Sequence, residues 1–233
     1  VNNFIQTYFK AENSPYLTNT DLMSHRFNIV VHSEGVDIIK IYMYIIIQMM
    51  LTGNKKIVVS SPIFNSCIEL LDEVNYHLKK VLKFFPDIEI TNGQSKVKGL
   101  VLSNGSSVHI YKTHYQSYIN DDVDLVILMD MAFTINSEIE TFFKLVVVNQ
   151  MAKPDGRFII NSIPNGRSNL FYDIFKQAEQ GKNIFKPLRL YYWIDPTKRD
   201  YEWIKEKINS IGEDEFDRKF NLSFSTKKKN TSV

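Results

Sequence analysis

The chain is predicted to be an α/β protein built on a largely parallel sheet, and three observations carry that prediction. Short β-branched runs alternate with longer amphipathic ones. Each strand candidate but the last is followed by a helix candidate. The one strong antiparallel signal, Asn104-Gly105 between two short runs, falls between two such units and reads as a hairpin insertion. With 233 residues, 44% of them hydrophobic, the chain can bury a full core, and a single globular domain is expected.

In chain order, Asn19 and Thr20 before Asp21 are placed to cap a short helix within a leader of residues 1–25. Phe27 to Val31 is the first strand. After a short polar loop comes the longest apolar run, Ile38 to Leu51, interrupted by Lys40 and Gln48. It is too short to span a bilayer and reads as a buried helix. Lys56 to Ser60 and Asn65 to Phe85 form the second strand and helix. Gly99 to Ser103 and Ser106 to Lys112 flank the hairpin turn. Leu125 to Met129 with Ser137 to Gln150 make the third unit, and Arg157 to Asn161 with Ser168 to Gln180 the fourth, Gly181 being placed as a helix stop. Leu188 to Tyr192 is the last strand. Tyr201 to Ser210 sets Trp203, Ile204, Lys207 and Ile208 at helical spacing, Gly212 breaks it, and Glu213 to Phe224 puts Phe216, Phe220 and Phe224 four apart as a core-facing stripe.

Composition narrows the chemistry. The net charge of +2 is mildly basic, weak evidence for a nucleic-acid partner, and the basic run Lys227 to Lys229 belongs to a tail or linker of residues 225–233. The lone cysteine, Cys67, excludes an intrachain disulfide framework and a cysteine metal cluster, and reads as a buried thiol at a helix start. His25, His32, His77, His109 and His114 show no metal-ligand spacing, and no metal site is expected. A Gly-x-Ser-x-Gly elbow is missing, which excludes that hydrolase type. Tyr191, Tyr192 and Trp193, with Arg189 and Arg199 nearby, either pack as core and rim or stack on nucleic-acid bases.

Three stretches at strand ends are candidates for chemistry. The loop after the first strand, His32, Ser33, Glu34, Gly35, Val36, Asp37 and Ile38, stands where a P-loop NTPase carries its phosphate cradle. Such a cradle needs glycines for close backbone approach, a Lys for the phosphate charge and a Ser or Thr hydroxyl for magnesium. Here one glycine is present, no Lys-Ser or Lys-Thr pair closes the loop, and Glu34 and Asp37 stand where polyphosphate would sit. Like charges at contact distance cost several kcal/mol at an effective dielectric of about 20. The stretch Asp124 to Phe133, DLVILMDMAF, ends its strand on Asp130, between Met129 and Met131: either a cation ligand or base, or a polar residue closing a buried strand. In Asn161, Ser162, Ile163, Pro164, Asn165 and Gly166 the last three make a turn, and Asn161 and Ser162 fall at the ligand-facing end of a parallel strand.

The ordered series FNIVVHSEGVDIIK, KIVVSSP, LSNGSSVHIY, DLVILMDMAF, FIINSIPNGRSNLFYDIFKQAEQGKNIFKPLRLYYW and EFDRKFNLSF resembles the N-terminal ATPase domain of the tailed-phage terminase large subunit, the DNA-packaging motor of the T4-like type. Its most specific pieces are Pro164-Asn165-Gly166 with Phe171 to Ile174 downstream, and the Asn-Gly-Ser-Ser hairpin. The resemblance runs from Phe27 to Phe224 and implies an ASCE or RecA-like P-loop NTPase fold over residues 26–224, a mostly parallel sheet flanked by helices with the hairpin inserted. Carried over by position, His32 to Ile39 matches the family's Walker A, Asp130 its catalytic acid, Met129 the place of its magnesium-binding Asp, and Asn161 to Ile163 its coupling motif. The catalytic types fail at Walker A and Walker B.

What the resemblance implies is a catalytically degenerate relative that takes neither ATP nor magnesium as a cofactor and serves as a binding or assembly component of phage DNA packaging. Its implied partners are the portal or other packaging proteins and double-stranded DNA, in the host cytoplasm, away from membranes and in an oligomer. Two alternatives stand beside it: an active motor ATPase with Asp130 as catalytic acid and Arg167 or another base in place of the Lys, which would take ATP and magnesium, and a nucleic-acid-binding module without nucleotide. The family's nuclease half is not matched. A further expectation is that Asp37 caps the helix that Ile38 begins, so that acids fill the empty cradle.

Overall fold

The computed structural model describes residue 7 and residues 22–91, 98–113, 122–134 and 138–225. The expected leading cap at Asn19 to Asp21, His114, and the Lys227 to Lys229 run lie outside them.

Eight strands form one sheet, β1 Phe27–His32, β2 Lys56–Ser61, β3 Ile90–Thr91, β4 Gly99–Leu102, β5 Ser107–Lys112, β6 Leu125–Leu128, β7 Arg157–Ser162 and β8 Lys186–Leu190, in the order β3-β4-β5-β2-β6-β7-β1-β8. The run β2-β6-β7-β1-β8 is parallel throughout, as apolar strands joined by helical crossovers must be. β5 joins its free edge in parallel with β2, and β4 and β3 follow it antiparallel.

The helices whose bounds fall within the described residues are α1 Ile38–Leu51, α2 Phe64–Val81, α3 Glu138–Ala152, α4 Leu170–Glu179, α5 Tyr201–Ile211 and α6 Glu213–Lys219. Strand alternation divides the core between two faces. Val30, Ile57, Val59, Ile127 and Ile159 pack with the buried residues of α1 and α2. Ile29, Val31, Val58, Val126, Phe158 and Ile160 pack with Phe142, Phe143, Val146, Phe171 and Phe175 of α3 and α4. Each fully buried side chain of this kind contributes about 1.5–3 kcal/mol.

α1 ends where the hairpin tip meets it. The Asn104 side chain donates to the Met50 carbonyl, and the Asn104 carbonyl accepts from Asn54 N. Gly105, at φ +84°, makes the tight turn that Asn104-Gly105 predicts. The hairpin does not stand off as a separate insertion: its strands extend the sheet beyond β2, and its tip closes the C-terminal end of the buried helix.

Two expectations need correction. The last strand ends at Leu190, not Tyr192, and Tyr192 to Ile194 form a single 3-10 turn. α6 ends at Lys219, so Phe216, Phe220 and Phe224 do not share one helical stripe. Phe216 and Phe220 pack with Tyr192 and Trp203 under α5, whereas the chain reverses at Leu222, φ +58°, and sends Phe224 against Tyr172 and Phe175.

Candidate functional site

Ligand sites in open α/β sheets lie beyond the carboxyl ends of the strands. There the structure gathers all three sequence-predicted stretches: the loop from β1 to α1, Asp130 after β6, and Asn161 to Gly166 after β7.

The loop has most of its recorded polar groups satisfied from within the protein. Ser33 N donates to Leu190 O at 2.8 Å, Glu34 N to Lys219 O at 2.9 Å, Val36 N to Ser33 O at 2.9 Å and Ile38 N to Val36 O at 2.9 Å. A phosphate cradle needs such N–H groups turned toward its ligand. Ser33, fully buried, donates through Oγ to Phe220 O at 2.6 Å and accepts from Tyr192 N at 3.1 Å. Gly35 lies so close under Tyr192 that an added Cβ would stand 3.0 Å from the Tyr192 Cβ, which accounts for the one glycine retained.

The two loop acids divide their work. Asp37 is the N-cap of α1, its Oδ1 accepting from Lys40 N at 3.1 Å, and it pairs with the Lys40 ammonium at 3.4 Å. Replacing it by Ala should cost about 1 kcal/mol, readable as a lower urea midpoint at unchanged slope; a change within error would show the cap to be idle. Glu34 does not cap a backbone N–H. It pairs with Lys219 at 2.9 Å, while Lys198 donates to the Gly35 carbonyl and pairs with Asp195. Beside them lies a groove of about 310 Å³ lined by Glu34, Gly35, Lys198, Trp203, Lys207 and Phe220 among others. Sequence reading missed these lysines, because α5, α6 and the turn before them are brought to the loop only by the tertiary fold.

Behind the loop is a buried polar cluster. His32 Nδ1 lies 3.1 Å from the Ser33 carbonyl, which can only accept, so Nδ1 carries the proton and Nε2 accepts from the Asn161 amide at 3.0 Å. Burial pushes the His32 imidazole below its usual pKa, against the opposing pull of the Ser33 carbonyl and of Asp130. Asp130 adopts left-handed backbone, φ +58° and ψ +30°, a conformation Asp tolerates, and its Oδ2 accepts from Ser61 Oγ at 2.8 Å. Ser61 Oγ in turn accepts from Ile63 N. Burial, with the Asp130 charge adding to it, raises the Tyr42 phenol and pushes the Cys67 thiol up to about 12, leaving that thiol inert. The Tyr42 hydroxyl, Asn161 Oδ1 and Ser162 Oγ are buried without a hydrogen-bond partner.

The turn after β7 is held in place by its neighbours: Asn165 donates to the Ala132 carbonyl and Arg218 to the Pro164 carbonyl. Arg167, the sequence's substitute for the missing Lys, donates instead to Ser225 Oγ at the surface. Of the aromatic cluster, Tyr192 is core and Arg189 is engaged by Glu179, whereas Trp193 is 40% exposed and stacks on Tyr191. Among the described residues no group of three or more His, Cys, Asp or Glu side chains is arranged to hold a metal ion, and no helix is long and apolar enough to cross a membrane. The loop therefore does not fit a polyphosphate: its recorded donors are taken and it supplies no cation.

No protein-family model and no curated protein sequence matches the chain. Solved structures do. The large terminase ATPase domain of Thermus phage P74-26 is 15% identical with a TM-score of 0.69, over 90% of this chain and 92% of that one. The large terminase of a thermophilic bacteriophage, in complex with ADP, is 12% identical with a TM-score of 0.62, over 91% of this chain and 51% of that one. That of bacteriophage HK97 is 13% identical with a TM-score of 0.62, over 90% and 50%. The chain spans about half the length of these last two terminases and has the P-loop-like α/β fold of the large terminase ATPase domain.

Proposed function

We propose that the chain is a terminase-type ATPase fold without ATPase activity, acting as a binding or assembly component in the packaging of phage DNA. Its partners on this reading are the portal or other packaging proteins and double-stranded DNA in the host cytoplasm, and it needs neither ATP nor magnesium. The observation that carries the proposal is the loop between β1 and α1, where Lys219 and Phe220 supply the acceptors, and Glu34 part of the charge, that a nucleotide's polyphosphate would otherwise bring. Phosphoryl transfer rests on positioning and electrostatics, and the engagement of the loop's N–H groups by Leu190 and Lys219 supports this reading.

A second reading is favoured by the adjoining groove. Lys198, Lys207 and Lys219 line it with Trp203, a set that would suit a nucleotide held without a Walker lysine, with Asp130 as the catalytic acid.

One titration separates the two. A fluorescent ATP analogue with magnesium, followed in parallel by phosphate release, should give neither saturable binding nor turnover with the wild-type chain. Micromolar binding with turnover abolished by Asp130→Ala would establish the second reading. Thermal shift gives an independent readout, since a ligand at a hundred times its dissociation constant stabilises by about 2.7 kcal/mol.

A further inference from the structure

The turn after β7 carries a chemical reactivity that neither reading of the site uses. Asparagine followed by glycine deamidates without an enzyme, because glycine has no Cβ to keep its backbone nitrogen away from the asparagine Cγ. The described residues hold two such pairs, Asn104-Gly105 in the hairpin and Asn165-Gly166 in this turn, and a third, Asn92-Gly93, lies outside them. The fold treats the two differently.

Asn104 is half-buried and its amide is tied on both sides, Nδ2 donating to Met50 O at 2.9 Å and Oδ1 accepting from Ser106 N at 3.1 Å. The nitrogen that would attack it, Gly105 N, donates to Leu102 O at 3.1 Å. Asn165 is exposed, and its amide is held through Nδ2 alone, which donates to Ala132 O at 3.1 Å. Among the described residues neither Asn165 Oδ1 nor Gly166 N makes a hydrogen bond. Reaching the reactive geometry therefore costs Asn104 two hydrogen bonds more than Asn165. At the usual worth of such bonds that is a rate difference of roughly tenfold to a hundredfold.

We propose that Asn165 is a site of spontaneous deamidation. Gly166 N, losing its proton to hydroxide, attacks Asn165 Cγ; the N–Cγ bond forms, the Cγ–Nδ2 bond breaks and ammonia leaves, giving a cyclic succinimide. Water then opens the ring at either carbonyl, to aspartate or isoaspartate, so that one water is consumed for each ammonia released and nothing is oxidised. Aspartate sets a carboxylate against Ala132 O where an amide donor stood, and the tie between this turn and the 3-10 turn Met131–Phe133 after Asp130 is lost. Isoaspartate also lengthens the backbone between positions 165 and 166, whose carbonyls both accept from Asn169 Nδ2, and Asn169 is the side chain that caps α4. The proposal is independent of whether the β1–α1 loop takes a nucleotide.

The test is peptide-mapping mass spectrometry of the full chain, held in warm buffer from neutral to mildly alkaline pH, with circular dichroism following the fold. Aspartate and isoaspartate are expected to accumulate at position 165, faster as pH rises, at roughly ten to a hundred times the conversion at Asn104. In guanidinium, where the bonds around Asn104 are gone, the two pairs should convert at similar rates. Asn165→Asp should lower the urea midpoint, since it removes the donor to Ala132 O. An Asn165 that stays intact in the folded chain, or converts no faster than Asn104, would overturn the proposal, and an unchanged midpoint for Asn165→Asp would overturn the loss of the tie.

Discussion

Replacing Ser33 by Ala is expected to destabilise the protein by about 2–4 kcal/mol, because it removes the buried hydroxyl that bonds two backbone groups, Tyr192 N and Phe220 O, each such buried bond being worth about 1–3 kcal/mol. The Ser33 hydroxyl is fully buried and bonds both of them, so water cannot take its place. Ser33→Thr keeps the hydroxyl and serves as the control, provided its methyl is accommodated. In a working phosphate loop the corresponding change would weaken nucleotide binding and barely touch stability. Urea unfolding of the two variants decides the matter: a loss for Ala below about 0.5 kcal/mol, well under the cost of one orphaned buried group, would mean that the segment after α6 is not clamped to the loop in solution.

Acidification should destabilise the fold through His32. Its imidazole is buried neutral, so its folded pKa lies below the unfolded value of about 6.5. The unfolded chain then binds the extra proton first. Stability is fully present above about pH 6.5 and falls as pH drops from there toward the folded pKa, by up to about 1.4 kcal/mol per pH unit for one such group. His109, also held below its ordinary pKa by burial, acts in the same direction. Protonation would also set a new Nε2 donor against the Asn161 amide, which currently donates to that nitrogen; Asn161 Oδ1, without a partner, could accept only if the amide turned over. His32→Gln should flatten this limb of the stability curve while lowering its plateau. An unchanged slope between about pH 6.5 and 5 would assign the effect elsewhere.

The fold was legible because its strands are buried on both faces and its helices follow them with few interruptions. β1, β2, β6 and β7 and helix α1 lie within a residue of their expected bounds. Errors came where backbone partners outweighed local pattern. Pro187, acceptable because β8 is an edge strand, delayed the expected start of β8, and the aromatic run Tyr191 to Trp193 extended its expected end although Tyr192 N is held by Ser33 Oγ. The Phe216, Phe220 and Phe224 spacing mimics a helical face across a chain reversal at Leu222. In the site, the missing Lys and the Asp37 cap were readable from residue types. The lysine-lined groove and the clamp on Ser33 were not, because both depend on residues far along the chain: Lys198 is 163 positions from Gly35, and Phe220 is 187 from Ser33.

β1 sits between β7 and β8 within the sheet, although it is made before either of them. On a ribosome adding about 5–20 residues per second, it waits on the order of ten seconds for β7 to be synthesised. Until then Ile29, Val30 and Val31 have no lateral strand, and the loop after them lacks the acceptors at Leu190, Lys219 and Phe220 that hold it shut. β2 and β5, closer in sequence, can pair first and present an open edge to later strands. The order of synthesis therefore runs against the order of the sheet, and the predicted kinetic signature is a slow final phase in which the two ends of the described chain close together on β1.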